Sequence, residues 1–195
     1  MAWIMNQSDQ RCCVWTVWLS VLAIVALQIM TLRLEGQPWW CQCGGAELWI
    51  SAAYSEHTSQ HLVDPYSFSH VLHGFLFWWL IAWLAPRLAL GWQFVIALAL
   101  EAAWEILENS PWVIERYRSA TAAVGYSGDT VVNALGDLAS AALGFWLARL
   151  LGWRWTLAIF VAVELILLAA IRDNLTLNVL MLFVTLPGLK QWQLG

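Results

Sequence analysis

Charge is scarce in this chain: 11% of its 195 residues are charged, and 61% are hydrophobic. Mean hydropathy is accordingly high, at +0.65. The sequence has no run of like charge, no low-complexity tract and no internal repeat. These absences exclude a soluble domain with a separate anchor and leave one compact integral membrane domain over residues 1–195. Cations are scarcer than anions, with nine Lys+Arg against thirteen Asp+Glu and a formal charge of −4. They cannot assemble a basic patch large enough for nucleic acid, so that class of partner is excluded. The first apolar run lacks a small-residue cleavage site and reads as a retained span, not a signal peptide.

Tryptophan, by contrast, is abundant. The sixteen indoles suit a bilayer protein, because this ring favours the headgroup level. Trp39, Trp40, Trp112, Trp153, Trp155 and Trp192 fall near expected span ends. A helix needs about 20 largely apolar residues to cross the ~30 Å hydrocarbon layer. Segments 13–32, 67–85, 88–107, 130–148 and 155–171 qualify, so the expected fold is an all-α, polytopic transmembrane bundle of 5–6 helices. Segment 175–186 is apolar but short, either a sixth span or a re-entrant helix, and the reading leans to six. The Pro86-Arg87 turn makes the second and third helices antiparallel neighbours, and an outer loop occupies about 33–66.

An inward N-terminus with six spans would put Arg11, Arg87, Arg149, Arg154 and Lys190 in the cytoplasm. Arg33, Arg116, Arg118 and Arg172 would then lie outside, a positive-inside margin of a single residue. Cys12-Cys13 reads as a pair of free thiols. Asn6-Gln7-Ser8 and Asn174-Leu175-Thr176 match the glycosylation pattern, and both read as chance matches.

Against this apolar background, three segments carry one-sided polar stripes: Ser69-His70-x-x-His73, Glu101-x-x-x-Glu105-x-x-Glu108 and Asp129-x-x-x-Asn133-x-x-x-Asp137. A charge in hydrocarbon costs several kcal/mol, and such residues face a bundle interior or a wet cavity. At 100° per residue the three glutamates occupy an arc of about 60°, and Asp129, Asn133 and Asp137 one of about 80°. Gly136, Ser140 and Gly144 lie close to that second arc, where small side chains permit close helix approach.

Depth gives an independent check. Counted at ~1.5 Å per residue from the shared face, His70, Glu108 and Asp129 lie near the rim. His73, Glu105 and Asn133 lie one turn below, and Glu101 and Asp137 deepest. Three helices thus present polar groups at matched levels, which points to one site. The bland reading of each residue is helix–helix glue: a cap from His70 or Asp129, or a pairing of Glu108 with Arg116 or Arg118. Glu164 stands alone in the fifth span.

Two histidines among carboxylates can hold zinc, manganese or iron, and His73, Glu105 and Asp137 are the metal candidates. A second set is Cys41-x-Cys43 with His57-x-x-x-His61 in the outer loop. These are four N/S ligands of the kind structural zinc takes, on a Cys-x-Cys spacing instead of Cys-x-x-Cys. The alternative is a loop folded over the cavity. A disulfide across one residue would be strained.

The same residues carry a family resemblance. The chain has Cys41-x-Cys43-Gly44…Leu48-Trp49, then Ser59-Gln60-His61…Asp64…Ser69-His70-x-x-His73-Gly74-Phe75. Glu101-x-x-Trp104-Glu105…Glu108-Asn109 and Ile114-x-Arg116-Tyr117-Arg118 follow. Gly128-Asp129-x-Val131-x-Asn133…Asp137 and Ile171-Arg172-Asp173-Asn174-Leu175-Thr176-Leu177-Asn178 complete it. In this the chain resembles an uncharacterised family of multi-pass inner-membrane proteins, mostly alphaproteobacterial, that carries a placeholder designation. His57 is not part of that pattern. The resemblance implies location and architecture, not activity. More distantly the order His73, Glu105, Arg118, Asp129, Asn133 is similar to VanZ-like proteins. Ser69-x-x-x-His73 resembles the first motif of ceramidase-type membrane hydrolases, whose later His-x-x-x-His is missing here.

The leading expectation is an envelope protein that binds or acts on a lipid or polyprenyl-phosphate headgroup. His70, His73, Glu101, Glu105, Glu108, Asp129, Asn133 and Asp137 would form the catalytic set, with His73 or Glu105 as general base. Arg116, Arg118 and Arg172 would bind the phosphate. Membrane lipids, or another membrane protein's helix, are the expected partners, and a divalent metal the candidate cofactor. Two other classes stand beside it: a non-enzymatic assembly or stability factor, and a proton or ion conductor.

Overall fold

The structure, a computed structural model, describes residues 7–45 and 47–195. Asn6 of the first sequon and the side chains of Arg11, Cys12 and Cys13 lie outside what is described. The helices run α1 (Gln7–Leu34), α2 (Ser67–Leu84), α3 (Leu90–Glu108), α4 (Pro111–Ala120), α5 (Val131–Leu151), α6 (Trp153–Ile171), α7 (Leu175–Phe183) and α8 (Pro187–Leu194). Five of them are long and apolar enough to cross a membrane: α1 from Val14, α2, α3, α5 and α6. The chain is an all-helical polytopic bundle, with span bounds within a few residues of those read from hydropathy.

The bundle is organised on the α2–α5 pair. A Cβ on Gly74 would sit 2.1 Å from the Ala141 carbonyl oxygen, and one on Gly144 would sit 2.0 Å from that of Val71. The two backbones therefore touch, and only glycine fits at the crossing. Gly136 behaves differently from expectation. It faces the loop, where a Cβ would fall 1.9 Å from the Leu62 carbonyl oxygen. Below the polar levels the interior is apolar: Ile81, Ala97 and Phe145 pack with Phe77 and Phe94, and Leu98, Ala102 and Leu138 pack with α1.

The sixth apolar segment does not span. α7 is nine residues long, and its N-terminus is set beside the middle of α6. There Glu164 accepts hydrogen bonds from the Leu175 and Thr176 amides, each at 3.0 Å, and from the Thr176 hydroxyl. Orphan N–H groups and the helix dipole both favour a carboxylate there, which accounts for an acid in a span. The chain then returns to the face it left. Arg116 Nε donates to the Leu182 carbonyl at 2.8 Å, and Lys190 Nζ to that of Ser119 at 2.7 Å. This re-entry puts Lys190 on the same face as Arg116, Arg118 and Arg172. The charge margin for a cytoplasmic N-terminus disappears with it.

That face is capped by α4, α7, α8 and the 35–66 loop. α4 begins at Ser110, whose Oγ accepts from the Val113 amide, with Pro111 in the first turn, a strong helix-start signal. The loop supplies what the start of α5 lacks. Ser59, Pro38 and Trp39 carbonyls accept from the Thr130, Val131 and Val132 amides at 3.0, 2.9 and 3.3 Å, and Thr130 Oγ1 accepts from the Asn133 amide. Thr130, not Asp129, is thus the helix cap.

Candidate functional site

The three stripes converge. α2 starts, α3 ends and α5 starts at the capped face, so His70, His73, Glu101, Glu105 and Asp137 meet between them. Glu101 is fully buried. Its Oε1 lies 2.5 Å from His70 Nδ1, and its Oε2 lies 3.0 Å from His73 Nδ1. One carboxylate therefore fixes both imidazoles through the same ring position. A hydrogen bond at Nδ1 sets the tautomer and leaves Nε2 as the reactive nitrogen.

Glu105 is equally buried and differently served. Its Oε1 lies 3.2 Å from His70 Nδ1, but that nitrogen has one proton at most, and Glu101 is the nearer acceptor. Neither Glu105 oxygen has a hydrogen-bond partner. A buried carboxylate without a donor needs a proton or a cation beside it. On the third helix, Asp137 accepts from Ser67 Oγ at 2.6 Å and holds Oδ2 3.8 Å from His70 Nε2. Two sets of ligand atoms, those of His70, His73 and Glu101 and those of His70, Glu105 and Glu108, are each gathered within 4.8 Å.

Above these groups is a cavity of about 420 Å³. Ser69, His70, His73, Glu108, Asp129 and Asp137 line its polar side. Trp104, Val124, Leu175 and Val179 line its apolar side, and residues 53–56, Thr58 and Ser59 contribute from the loop. The loop is therefore folded over the cavity.

Asp129 lies at the rim, outside α5. It accepts from Asn109 Nδ2 at 2.8 Å and from the Tyr126 hydroxyl at 3.0 Å, while its own amide donates to Asn109 Oδ1 at 2.6 Å. Burial pushes its carboxyl up, and the bonds from Asn109 and Tyr126 offset part of that. Asp173 closes the opposite rim, accepting from Tyr66 OH at 3.1 Å and Asn178 Nδ2 at 3.2 Å. Burial raises it to about 6.

Other residues read as functional are placed elsewhere. Asn133 is fully buried and donates to the His61 carbonyl at 2.8 Å, which pins the loop and does not line the cavity. The three arginines also stay out of the cavity lining. Arg116 holds the end of α7 through Leu182 and Thr185. Arg118 donates to the Tyr126 carbonyl. Arg172 donates to that of Trp192 and stacks over its ring. Neither Arg116 nor Arg118 forms an ion pair with Glu108 among the described residues.

Sequence reasoning gave no site role to Ser67, Asn109, Trp104, the tyrosines or Asp173. Two were within reach: Asn109 is one turn beyond Glu105 on the same stripe, and Ser67 one turn before His70. Tyr66, Tyr126 and Asp173 arrive on connections without periodicity.

Residues 32–195 match the family described as "Protein of unknown function (DUF2585)". Curated relatives cover nearly the whole chain. A UPF0314 protein of Sphingopyxis alaskensis is 47% identical over 92% of this chain and 96% of its own length. Another, from Brucella anthropi, is 45% identical over 91% and 90%. A third, from Paracoccus denitrificans, is 42% identical over 90% and 91%. No solved structure matches the chain.

Proposed function

We propose that this chain, which belongs to the DUF2585 family, binds the phosphate-bearing headgroup of a membrane amphiphile in its acid–histidine chamber. The headgroup's partner there is a divalent cation. The observation that carries this is Glu105, fully buried beside His70 with neither oxygen hydrogen-bonded. A chamber lined by carboxylates repels an anion unless a cation intervenes, and a metal held by acids and imidazole bridges the two. His70, Glu105 and Glu108, or His70, His73 and Glu101, are the candidate ligand sets. If the headgroup is hydrolysed or transferred, His73 is the base of choice. Its Nδ1 is held by Glu101, which leaves Nε2 free to take the proton of an attacking hydroxyl.

The lining supports an amphiphile, since an apolar wall of Trp104, Leu175 and Val179 faces the acids. The arginines take no part in this reading, because none of them lines the chamber; their hydrogen-bonded donors serve the Leu182, Tyr126 and Trp192 carbonyls and the Thr185 hydroxyl. Conduction is disfavoured by the packed aromatic and aliphatic layer beneath the chamber. The inner membrane suits a helical bundle, because proteins that span an outer membrane are closed β-barrels.

The test is elemental analysis of purified protein in detergent, with mass spectrometry for bound lipid. Wild type should carry a chamber metal that a His73→Ala/Glu105→Ala double variant loses. Glu105→Gln should abolish function and keep the fold. Equal metal content in wild type and a folded double variant would remove the cation from the proposal. The absence of any co-purified amphiphile would remove the headgroup.

A further inference from the structure

A second group of ligand atoms lies outside the chamber, in the loop that roofs it. Sγ of Cys41, Sγ of Cys43 and one ring nitrogen each of His57 and His61 lie within 4.8 Å of one another. The cysteines are free thiols, with sulfurs 2.6 Å apart, and Cys41 Sγ is 3.7 Å from His57 Nδ1. The imidazoles of His57 and His61 face each other at 5.5 Å between centroids. We propose that these four residues bind a structural zinc ion that holds the roof of the chamber in place.

Three further observations support it. His61 is 2% exposed, and its Nε2 has no hydrogen-bond partner. Its other nitrogen meets only the Glu47 amide, at a long 3.3 Å. An imidazole sealed away from water with an idle nitrogen is costly; a metal bond at Nε2 removes that cost once the ring proton moves to Nδ1 and the long Glu47 contact is released.

The backbone is also folded around the sulfurs. The Cys43 amide points at Cys41 Sγ at 3.4 Å, and the Gly45 amide at Cys43 Sγ at 3.3 Å. Amides placed in this way are the donors that a metal-bound sulfur accepts from. The turn that aims them needs Gly44, which sits at φ +79° in the left-handed region. It is closed by Trp40 Nε1 donating to the Gly45 carbonyl at 2.9 Å.

Finally, two cysteines and two histidines are a ligand set zinc takes in closed tetrahedral sites. No nucleophile or base is needed here, because no substrate cavity reaches these residues.

The position gives the ion a task. Residues 59–61 are bolted to the start of α5: Ser59 O to the Thr130 amide, Gln60 Nε2 to the Gly128 carbonyl, and His61 O to Asn133 Nδ2. Cys41 and Cys43 follow the segment whose Pro38 and Trp39 carbonyls complete the same cap. A metal joining the two segments crosslinks both halves of the cap and fixes Ser55, Glu56 and Thr58 over the cavity. The site does not depend on what the chamber binds.

The experiment uses the full-length protein in detergent. Zinc content is measured for wild type, Cys43→Ser, His57→Ala and Glu105→Gln, and chelated wild type is titrated with cobalt(II). The expected result is one zinc lost in Cys43→Ser and His57→Ala and retained in Glu105→Gln. Cobalt should give the near-ultraviolet charge-transfer band of a thiolate ligand, a readout that requires no variant to fold. A zinc content in Cys43→Ser equal to that of wild type, or a cobalt complex without thiolate absorption, would overturn the assignment. So would an intact mass two hydrogens light, the mark of a Cys41–Cys43 disulfide. A chamber metal, if present, is lost only in the chamber variants, so the two proposals fail separately.

Discussion

Glu101 Oε1 of α3 lies 2.5 Å from His70 Nδ1 of α2, a contact that neither helix could make within itself. The remaining Glu101 oxygen serves His73, so a single carboxylate orients both histidines of the chamber.

Glu101→Gln keeps the shape and removes the charge. Carboxylates that orient ligating histidines contribute about 10–100-fold to metal affinity. We expect a loss of that order, with the helical circular-dichroism spectrum retained. Unchanged affinity would show that Glu101 is helix glue.

The α2–α5 contact predicts a steep size limit. Gly74→Ala places a methyl 2.1 Å from the Ala141 carbonyl, where backbone must move. Overpacking costs about 1–3 kcal/mol, so the melting temperature in detergent should fall clearly. Gly188→Ala, with nothing within 4 Å of its added carbon, should leave it unchanged.

Glu164→Ala removes the carboxylate that holds the start of α7. Loss of a cap costs about 0.5–2 kcal/mol. Hydrogen exchange should quicken at Leu175 and Thr176, whose amides it accepts, while α2 keeps its protection.

Asp173 gives stability a pH dependence of defined sign. Burial raises its carboxyl from 3.8 to about 6, so the native state binds the proton more tightly than the unfolded chain. Stability therefore falls as pH rises from about 4 to about 6 and is flat in this term above that. Thermal melts across that window should show wild type losing ground to Asp173→Asn, and the gap should stop growing near neutrality.

The packed layer of Ile81, Phe145, Phe77 and Phe94 predicts that the protein does not dissipate a pH gradient in liposomes. A carboxylate-dependent flux, abolished by Glu105→Gln, would reverse that reading.

The sequence by itself determined the membrane class, the bounds of the five long helices and the shared face of the stripes, because hydropathy and helical periodicity are local; it leaned to a sixth span, which α7 is too short to make. It did not set the pairing of the stripes: His70, read at the rim, meets Glu101 and Asp137, read as deepest. Ser110-Pro111 carries a helix-start signal, but by hydropathy it reads only as the end of the third span.

Only tertiary structure decided which donors meet which acids. Arg116 was read as a phosphate ligand from sequence; in the fold its Nε donates to the Leu182 carbonyl, 66 residues away, and its Nη1 to the Thr185 hydroxyl. Glu164 was unexplained until a re-entrant helix presented its amides. Asn133 matched the stripe by period, yet the loop took its side chain through His61. Period names the face a residue is on, whereas its partner there is chosen by how the other elements and loops close over that face.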